Sequence, residues 1–274
     1  MATRSARLRH DNLLRLLAHH QKIRVQAIAE QLGVSGWTVR RDLEALEQSG
    51  LVLRTHGSAT LSDAGRSRLP PTRNLGGLSS EVYVARERIG QAAAQQIPNG
   101  SRVVLGAGNT TLEVARALGH KAGLQVMTNS LEVALELSRY PAIRTISTGG
   151  EVNGTFSTLN GSVTQRVLQS HYFDLAVISV SGIDARGGCT VQSPMNVIAL
   201  DLMVKHADRL IIVADHLKFG VVAFAQLCDL DEIDLLITDK MPSDPVLVGA
   251  LERVNVELVV ATVNAGRQRL DAQD

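Results

Sequence analysis

Between residues 102 and 261, short apolar runs alternate with polar, glycine-bearing turns and helical stretches, and this alternation limits the chain to very few folds. Arg102-Val103-Val104-Leu105 enters Gly106-Ala107-Gly108-Asn109-Thr110-Thr111, and residues 112–118 follow with helical spacing. Looser copies come next: an apolar run at 124–127, the turn Thr128-Asn129-Ser130 and a helix over 131–138, then a run at 144–148 ending at Gly149-Gly150. Residues 175–181 run into Gly182-Ile183-Asp184, residues 210–214 into Asp215, and the runs at 235–238 and 256–261 complete the set. Apolar strands separated by helices predict parallel βαβ units in one doubly wound sheet. Ligands of such sheets lie at the carboxyl ends of the strands, where these polar turns fall.

Glycines at those ends let backbone N–H groups close around an anion, and a following helix N-terminus adds positive potential. The candidate set for a small phosphorylated ligand is therefore Gly106, Gly108, Asn109, Thr110 and Thr111, with Thr128, Asn129, Ser130, Gly149, Gly150 and Asp184. Lys218, just past Asp215, supplies a mobile positive charge. The loop lacks both the Walker lysine and G-x-G-x-x-G, so ATP and NAD are poorly supported and no cofactor is expected. The same glycines could instead serve only as tight βα turns, and spacing leaves both readings open.

The first sixty residues follow another pattern. A helix is expected over 8–20, with Leu13, Leu14, Leu16 and Leu17 inside and Arg9 and Arg15 outside. Ile23-Arg24-Val25 suits a short strand. Ile28, Ala29 and Leu32 have helical spacing, and Gly33 can end that helix at positive φ. Ser35 suits the N-cap of a next helix, in which Val39, Leu43 and Leu46 form one buried stripe. Trp37, Thr38, Arg40 and Arg41 then stand near its dipole-positive end, which suits phosphate oxygens and guanine edges in a major groove. Asp42 among these basic groups is expected to pair with Arg40 or Arg54. Residues 51–54, the turn His56-Gly57 and residues 59–61 read as a β-hairpin wing. The candidate DNA-contacting residues are Ser35, Trp37, Thr38, Arg40, Arg41, Arg54 and His56. A small helical bundle with a solvated basic face is the competing reading.

The charge distribution agrees with a nucleic-acid-binding head. The net charge of +1 hides an asymmetry: residues 1–60 hold 9 Lys+Arg and 5 Asp+Glu, whereas the remainder holds 19 and 22. The two cysteines, Cys189 and Cys228, lie far apart in sequence, with no metal-ligand cluster or disulfide framework in view. No apolar run nears the ~20 residues needed to span a bilayer, so no membrane partner and a cytoplasmic setting are expected. Residues 62–80, rich in Ser, Gly, Pro and Arg, suit a linker between a head at 1–61 and a body at 81–274.

Val34-Ser35, Thr38-Val39-Arg40-Arg41-Asp42-Leu43, Leu46-Glu47, Gly50-Leu51-Val52 and Arg54-Thr55-His56-Gly57 resemble the winged helix of DeoR-type bacterial transcription regulators. Ser58 departs from the second glycine usual there. The resemblance continues through Thr128-Asn129-Ser130, Gly149-Gly150-Glu151, Phe173-Asp174, Gly182-Ile183-Asp184, Lys218-Phe219-Gly220 and Ile237-Thr238-Asp239, and spans roughly residues 8–262. It implies an N-terminal winged helix-turn-helix and a C-terminal isomerase-like α/β sensor, similar in fold to ribose-5-phosphate isomerase. It further implies a homodimeric or homotetrameric repressor that leaves operator double-stranded DNA when a phosphorylated sugar or polyol binds. Gln96-Ile97-Pro98-Asn99-Gly100, Val180-Ser181-Gly182-Ile183-Asp184 and Asp215-His216 are most similar to the glycerol-3-phosphate repressor branch.

Family members usually carry aspartate at Gly106, threonine at Asn109, glutamate near Asn196 and lysine near Leu200. Their loss here implies rearranged contacts to the effector. The alternative, a sugar-phosphate isomerase or deaminase with an accessory head, needs a general base and an electrophile beside a bound carbonyl. Residues 187–194 contain neither lysine nor carboxylate, so no catalytic residue is expected.

Overall fold

The computed structural model describes residues 9–10, 13–14, 16–17, 23–32, 34–55, 57–62, 64 and 80–262. The chain divides into two compact units, 1–80 and 81–274. Gly33, Arg15, His56 and most of the expected linker lie outside the described residues.

In the first unit, Arg9, His10, Leu13, Leu14, Leu16 and Leu17 are helical. β1 (Ile23–Arg24), α1 (Val25–Leu32), α2 (Gly36–Gln48), β2 (Val52–Thr55) and β3 (Ser58–Leu61) follow. Val25 opens α1 rather than extending β1, and its N–H donates to Gly57 O at 3.1 Å, tying the helix start to the wing tip. The strands form a three-stranded sheet in the order β1-β3-β2. Gly57, at φ +75°, makes the tight turn that a side-chain-bearing residue would resist. Thr55 and Ser58, paired across that turn, share a 2.8 Å hydroxyl hydrogen bond. Ser58 thus braces the wing where the family's glycine could not. Leu13, Leu17, Ile28, Val39, Leu43, Leu46, Val52 and Leu61 make an aliphatic core.

The second unit begins with α3 (Ser80–Gln95). Then come β4 (Arg102–Leu105), α4 (Asn109–Ala117), β5 (Gln125–Thr128), α5 (Leu131–Leu137) and β6 (Arg144–Ser147). A hairpin of β7 (Glu151–Asn153) and β8 (Thr158–Asn160) leads to α6 (Ser162–Gln169) and β9 (Leu175–Ser179). β10 (Gly182–Asp184), β11 (Gly188–Val191), α7 (Pro194–Lys205), β12 (Leu210–Val213), β13 (Ala225–Cys228), β14 (Leu235–Thr238), α8 (Pro245–Arg253) and β15 (Glu257–Val260) complete it.

Seven strands form one parallel sheet in the order β15-β14-β12-β9-β4-β5-β6. The chain winds outward from β4 in one direction and from β9 in the other, so the switch point lies between these two strands. Strand residues alternate between two cores: Leu175 and Val177 pack with α3, α4 and α5, whereas Ala176 and Ile178 pack with α6, α7 and α8. Burial on both faces explains why the central strands β9 and β12 read as apolar runs.

One reading of the sheet is corrected. Residues 182–184 are not a terminal turn but β10 of a separate antiparallel sheet in the order β10-β11-β13. The two cysteines, distant in sequence, are register partners on β11 and β13. The hydrogen bond to Cys228, and then burial, push the Cys189 thiol up, and both cysteines are free.

Candidate functional site

α2 is built to present one end. Ser35 Oγ accepts from Thr38 N at 3.1 Å and meets Thr38 Oγ1 at 2.8 Å, so both hydroxyls fix the helix start. Val39, Leu43 and Leu46 are buried, which turns Trp37, Arg40 and Arg41 to solvent. Trp37 is 66% exposed, and the Arg41 guanidinium lies 5.6 Å from its ring centroid. Stacking of this kind holds the guanidinium without neutralising it. Arg54, exposed on β2, donates to Glu47 at 3.3 Å.

Asp42 does not pair with Arg40 or Arg54. It accepts from Arg9 Nε, from Arg9 Nη2 at 3.0 Å, and faces His10 Nε2 at 3.0 Å. The physical reason is helical phase: Asp42 lies three residues after Val39 and four before Leu46, on the buried side, while Arg40 is two residues back and faces away. Burial would raise the Asp42 carboxyl, but the hydrogen bonds and charge of Arg9 and His10 outweigh it and hold it below the usual range. Arg9, expected outside, is therefore a tie between the first helix and α2. Arg40 and Arg41 are left without a carboxylate partner among the described residues.

The second candidate site gathers at the switch point. α4 starts at Asn109, earlier than expected, so Asn109, Thr110 and Thr111 form its first turn rather than a loop. Gly108 is its N-cap at φ 152° and ψ 163°, and no side chain caps the N–H groups behind it. A Cβ at Gly108 would stand 2.0 Å from Ser179 Oγ, at the end of β9. Ser179 in turn donates to Ala107 O at 3.2 Å. Thr111 Oγ1 donates to Gly108 O at 3.0 Å, so that hydroxyl serves the loop itself.

The neighbouring strand end contributes Thr128, Asn129 and Ser130, all buried. Thr128 Oγ1 accepts from Ser130 N at 3.0 Å, and Ser130 Oγ caps α5 by accepting from Val133 N at 3.3 Å. Gly149 and Gly150 let β6 turn tightly against α6 and β8: a Cβ on Gly150 would lie 2.4 Å from both Asn160 O and Thr164 Oγ1. Close approach requires the glycine at 150, whereas Gly149 is favoured by its positive φ of +67°. Asp184 Oδ1 accepts from Arg186 N at 2.9 Å and Gly187 N at 3.2 Å, which holds its carboxyl below the usual range. Lys218 ends a short 3-10 turn after β12, and the segment following it is bridged to β10 through Phe219 and Ile183. Asp184 and Lys218 therefore share one flank, on the far side of β9 from the Gly106 loop.

The residues missed in the sequence are Ser179, Thr158 and Asn160. Ser179 was visible as the one polar group closing an apolar strand; the alternation Thr158-Leu159-Asn160 was the signal for β8. α7 brings in two positions already named. Asn196 and Leu200 are one turn apart and face the same side, toward Thr158 and Gly106. Asn196 Oδ1 accepts from Thr158 Oγ1 at 3.3 Å, and Leu200 Cδ2 lies 3.2 Å from where a Cβ on Gly106 would be. Positions 106 and 200, both departing from the family pattern, are thus direct neighbours.

The descriptions of two domains match the chain: a DeoR-like helix-turn-helix domain at residues 9–64 and a DeoR C terminal sensor domain at residues 81–240. The HTH-type transcriptional repressor GlcR of Bacillus subtilis is 34% identical over 93% of this chain and 96% of its own. The glycerol-3-phosphate regulon repressor of Escherichia coli is 30% identical over 85% and 91%. Among solved structures, eIF2B beta from Chaetomium thermophilum aligns with a TM-score of 0.42 at 15% identity, covering 57% of this chain and 48% of that one. Ribose 5 phosphate isomerase A from Neisseria gonorrhoeae aligns at 0.37 and 14%, covering 50% and 53%. The winged head, the doubly wound body and the two domain matches together make this chain a member of the DeoR family of helix-turn-helix transcription regulators.

Proposed function

We propose that the chain is a repressor of a sugar or polyol catabolic operon, released from operator DNA by a phosphorylated sugar or polyol. The head is residues 1–61, the tether 62–80 and the sensor 81–274, and the protein works as a homodimer or homotetramer. The observation that carries the reading is the exposed Arg40 and Arg41, without a carboxylate partner among the described residues, beside Trp37 at the capped start of α2. The uncapped first turn of α4, open at a glycine, supports an anion as the signal. Repressor relatives, and a β11 segment without lysine or carboxylate, support binding rather than turnover. The effector releases DNA by binding more tightly to the conformation in which the heads are out of register.

The test is fluorescence anisotropy with the promoter of the protein's own operon at low ionic strength, with and without sugar and polyol phosphates. Specific binding that phosphorylated ligand weakens supports the reading. Arg41→Ala should lower affinity and flatten its salt dependence, since a lost phosphate contact reduces the slope by about one. Absence of binding under every condition would overturn it.

A further inference from the structure

We infer that a second, uncharged lobe of the cup, formed by Asn129, Thr158, Asn160 and Asn196, reads the hydroxyl groups of the effector while the Gly106 loop takes its phosphate. This rests on the sensor reading above and adds the specificity of that site.

Asn129 is 1% exposed and Asn160 5%, yet the Oδ1 atom of each is buried without a hydrogen-bond partner. A buried acceptor left unpaired is costly, and two in one cluster call for donors from outside. Their neighbours fix which atom faces the gap. Asn129 Nδ2 donates to Leu159 O at 3.3 Å, and a backbone carbonyl can only accept, so the amide cannot be turned over. Asn160 Nδ2 donates to Thr158 Oγ1 at 2.9 Å, and Thr158 spends its own proton on Asn196. Asn129 therefore offers oxygen, and Asn160 does so in the network in which Asn196 accepts from Thr158. Phosphate oxygens are acceptors and would be repelled here; hydroxyl groups donate and fit.

The lobe adjoins the phosphate loop. Thr128 and Leu105 are register partners, so Asn129 and Gly106 open neighbouring strand ends. Leu159 N donates to Asn129 O at 2.7 Å, drawing β8 against that end. α7 spans both parts, with Asn196 on Thr158 and Leu200 beside Gly106. An anion at α4 with a hydroxylated carbon chain running toward β8 satisfies both halves.

The experiment is thermal-shift titration of the full chain with inorganic phosphate, glycerol 3-phosphate, D-fructose 1-phosphate and D-glucitol 6-phosphate. At least one hydroxylated phosphate should act at about tenfold lower concentration than inorganic phosphate. Thr158→Val and Asn160→Val should each remove about tenfold of that advantage and leave the response to inorganic phosphate unchanged. Should either variant fail to fold, Asn196→Leu, at a half-exposed position, gives the same reading. If the folded variants keep the advantage within twofold, the lobe does not read hydroxyls. If the wild type responds equally to all four probes, the phosphate cup stands and this inference falls. No response to any probe removes the sensor reading and the lobe with it.

Discussion

Arg86 Nε donates to Asp215 Oδ2 at 2.8 Å, with both side chains almost fully withdrawn from solvent. Arg86 lies on α3, the first helix of the second unit, and Asp215 follows β12 at the carboxyl end of the sheet. Asp215 also caps the short turn that ends at Lys218, accepting from Leu217 N at 3.2 Å. One carboxylate thus joins α3 to the segment carrying a candidate anion contact. Breaking such a pair on one side strands a buried charge and costs about 3–5 kcal/mol. Arg86→Met should lower the free energy of unfolding in urea by that measure, and Asp215→Asn should act in the same direction. Unchanged unfolding in both would mean that the pair is open to water.

The Asp42 carboxyl is held below its unfolded value of about 4, so the folded state binds its proton less readily. That stability is fully present above the unfolded value and is lost as pH falls through the folded one. Asp42→Asn should therefore cost roughly 1–3 kcal/mol at neutral pH, less than a fully buried pair because Arg9 is partly solvated. The deficit relative to wild type should shrink below about pH 4. The single tryptophan, Trp37, sits on the same helix and reports the transition by fluorescence. A deficit independent of pH would assign the loss to shape rather than charge.

Gly106 and Leu200 form a coupled pair. A side chain at 106 meets Leu200 at 3.2 Å, so Gly106→Asp should place a carboxylate against a methyl group. Leu200→Lys should bury an ammonium at a position only 5% exposed. Each change should cost about 1–3 kcal/mol. The double variant should cost less than the sum by at least about 0.5 kcal/mol, because the two charges then face each other. Strict additivity in urea unfolding would show that they do not meet.

Gly108 is expected to tolerate no side chain. Its φ of 152° and the 2.0 Å approach of Ser179 Oγ oppose a Cβ independently. Gly108→Ala should cost about 1–3 kcal/mol and abolish the thermal shift caused by phosphate. Adding Ser179→Ala should recover part of the stability by removing the steric conflict, but not the part due to backbone strain. A phosphate response retained by Gly108→Ala would move the anion site elsewhere.

The sequence determined the elements whose signal is local. Two-sided burial made the interiors of β4, β9, β12 and β14 apolar, and the stripe of Val39, Leu43 and Leu46 with the Ser35 cap announced α2. The wing was legible because residues adjoining Gly57 pair with each other. The small antiparallel sheet was not legible: β10 and β11 form a hairpin of only three and four residues, and its third strand, β13, joins β11 from a distant part of the sequence. For the same reason the chain alone could not bring Cys189 to Cys228, Arg9 to Asp42, or Arg86 to Asp215. Nor could it show that Leu200 covers Gly106 and that Asn196 reaches Thr158. Periodicity fixes which side of an element is buried; only the assembled sheet and helices decide which side chain it meets there.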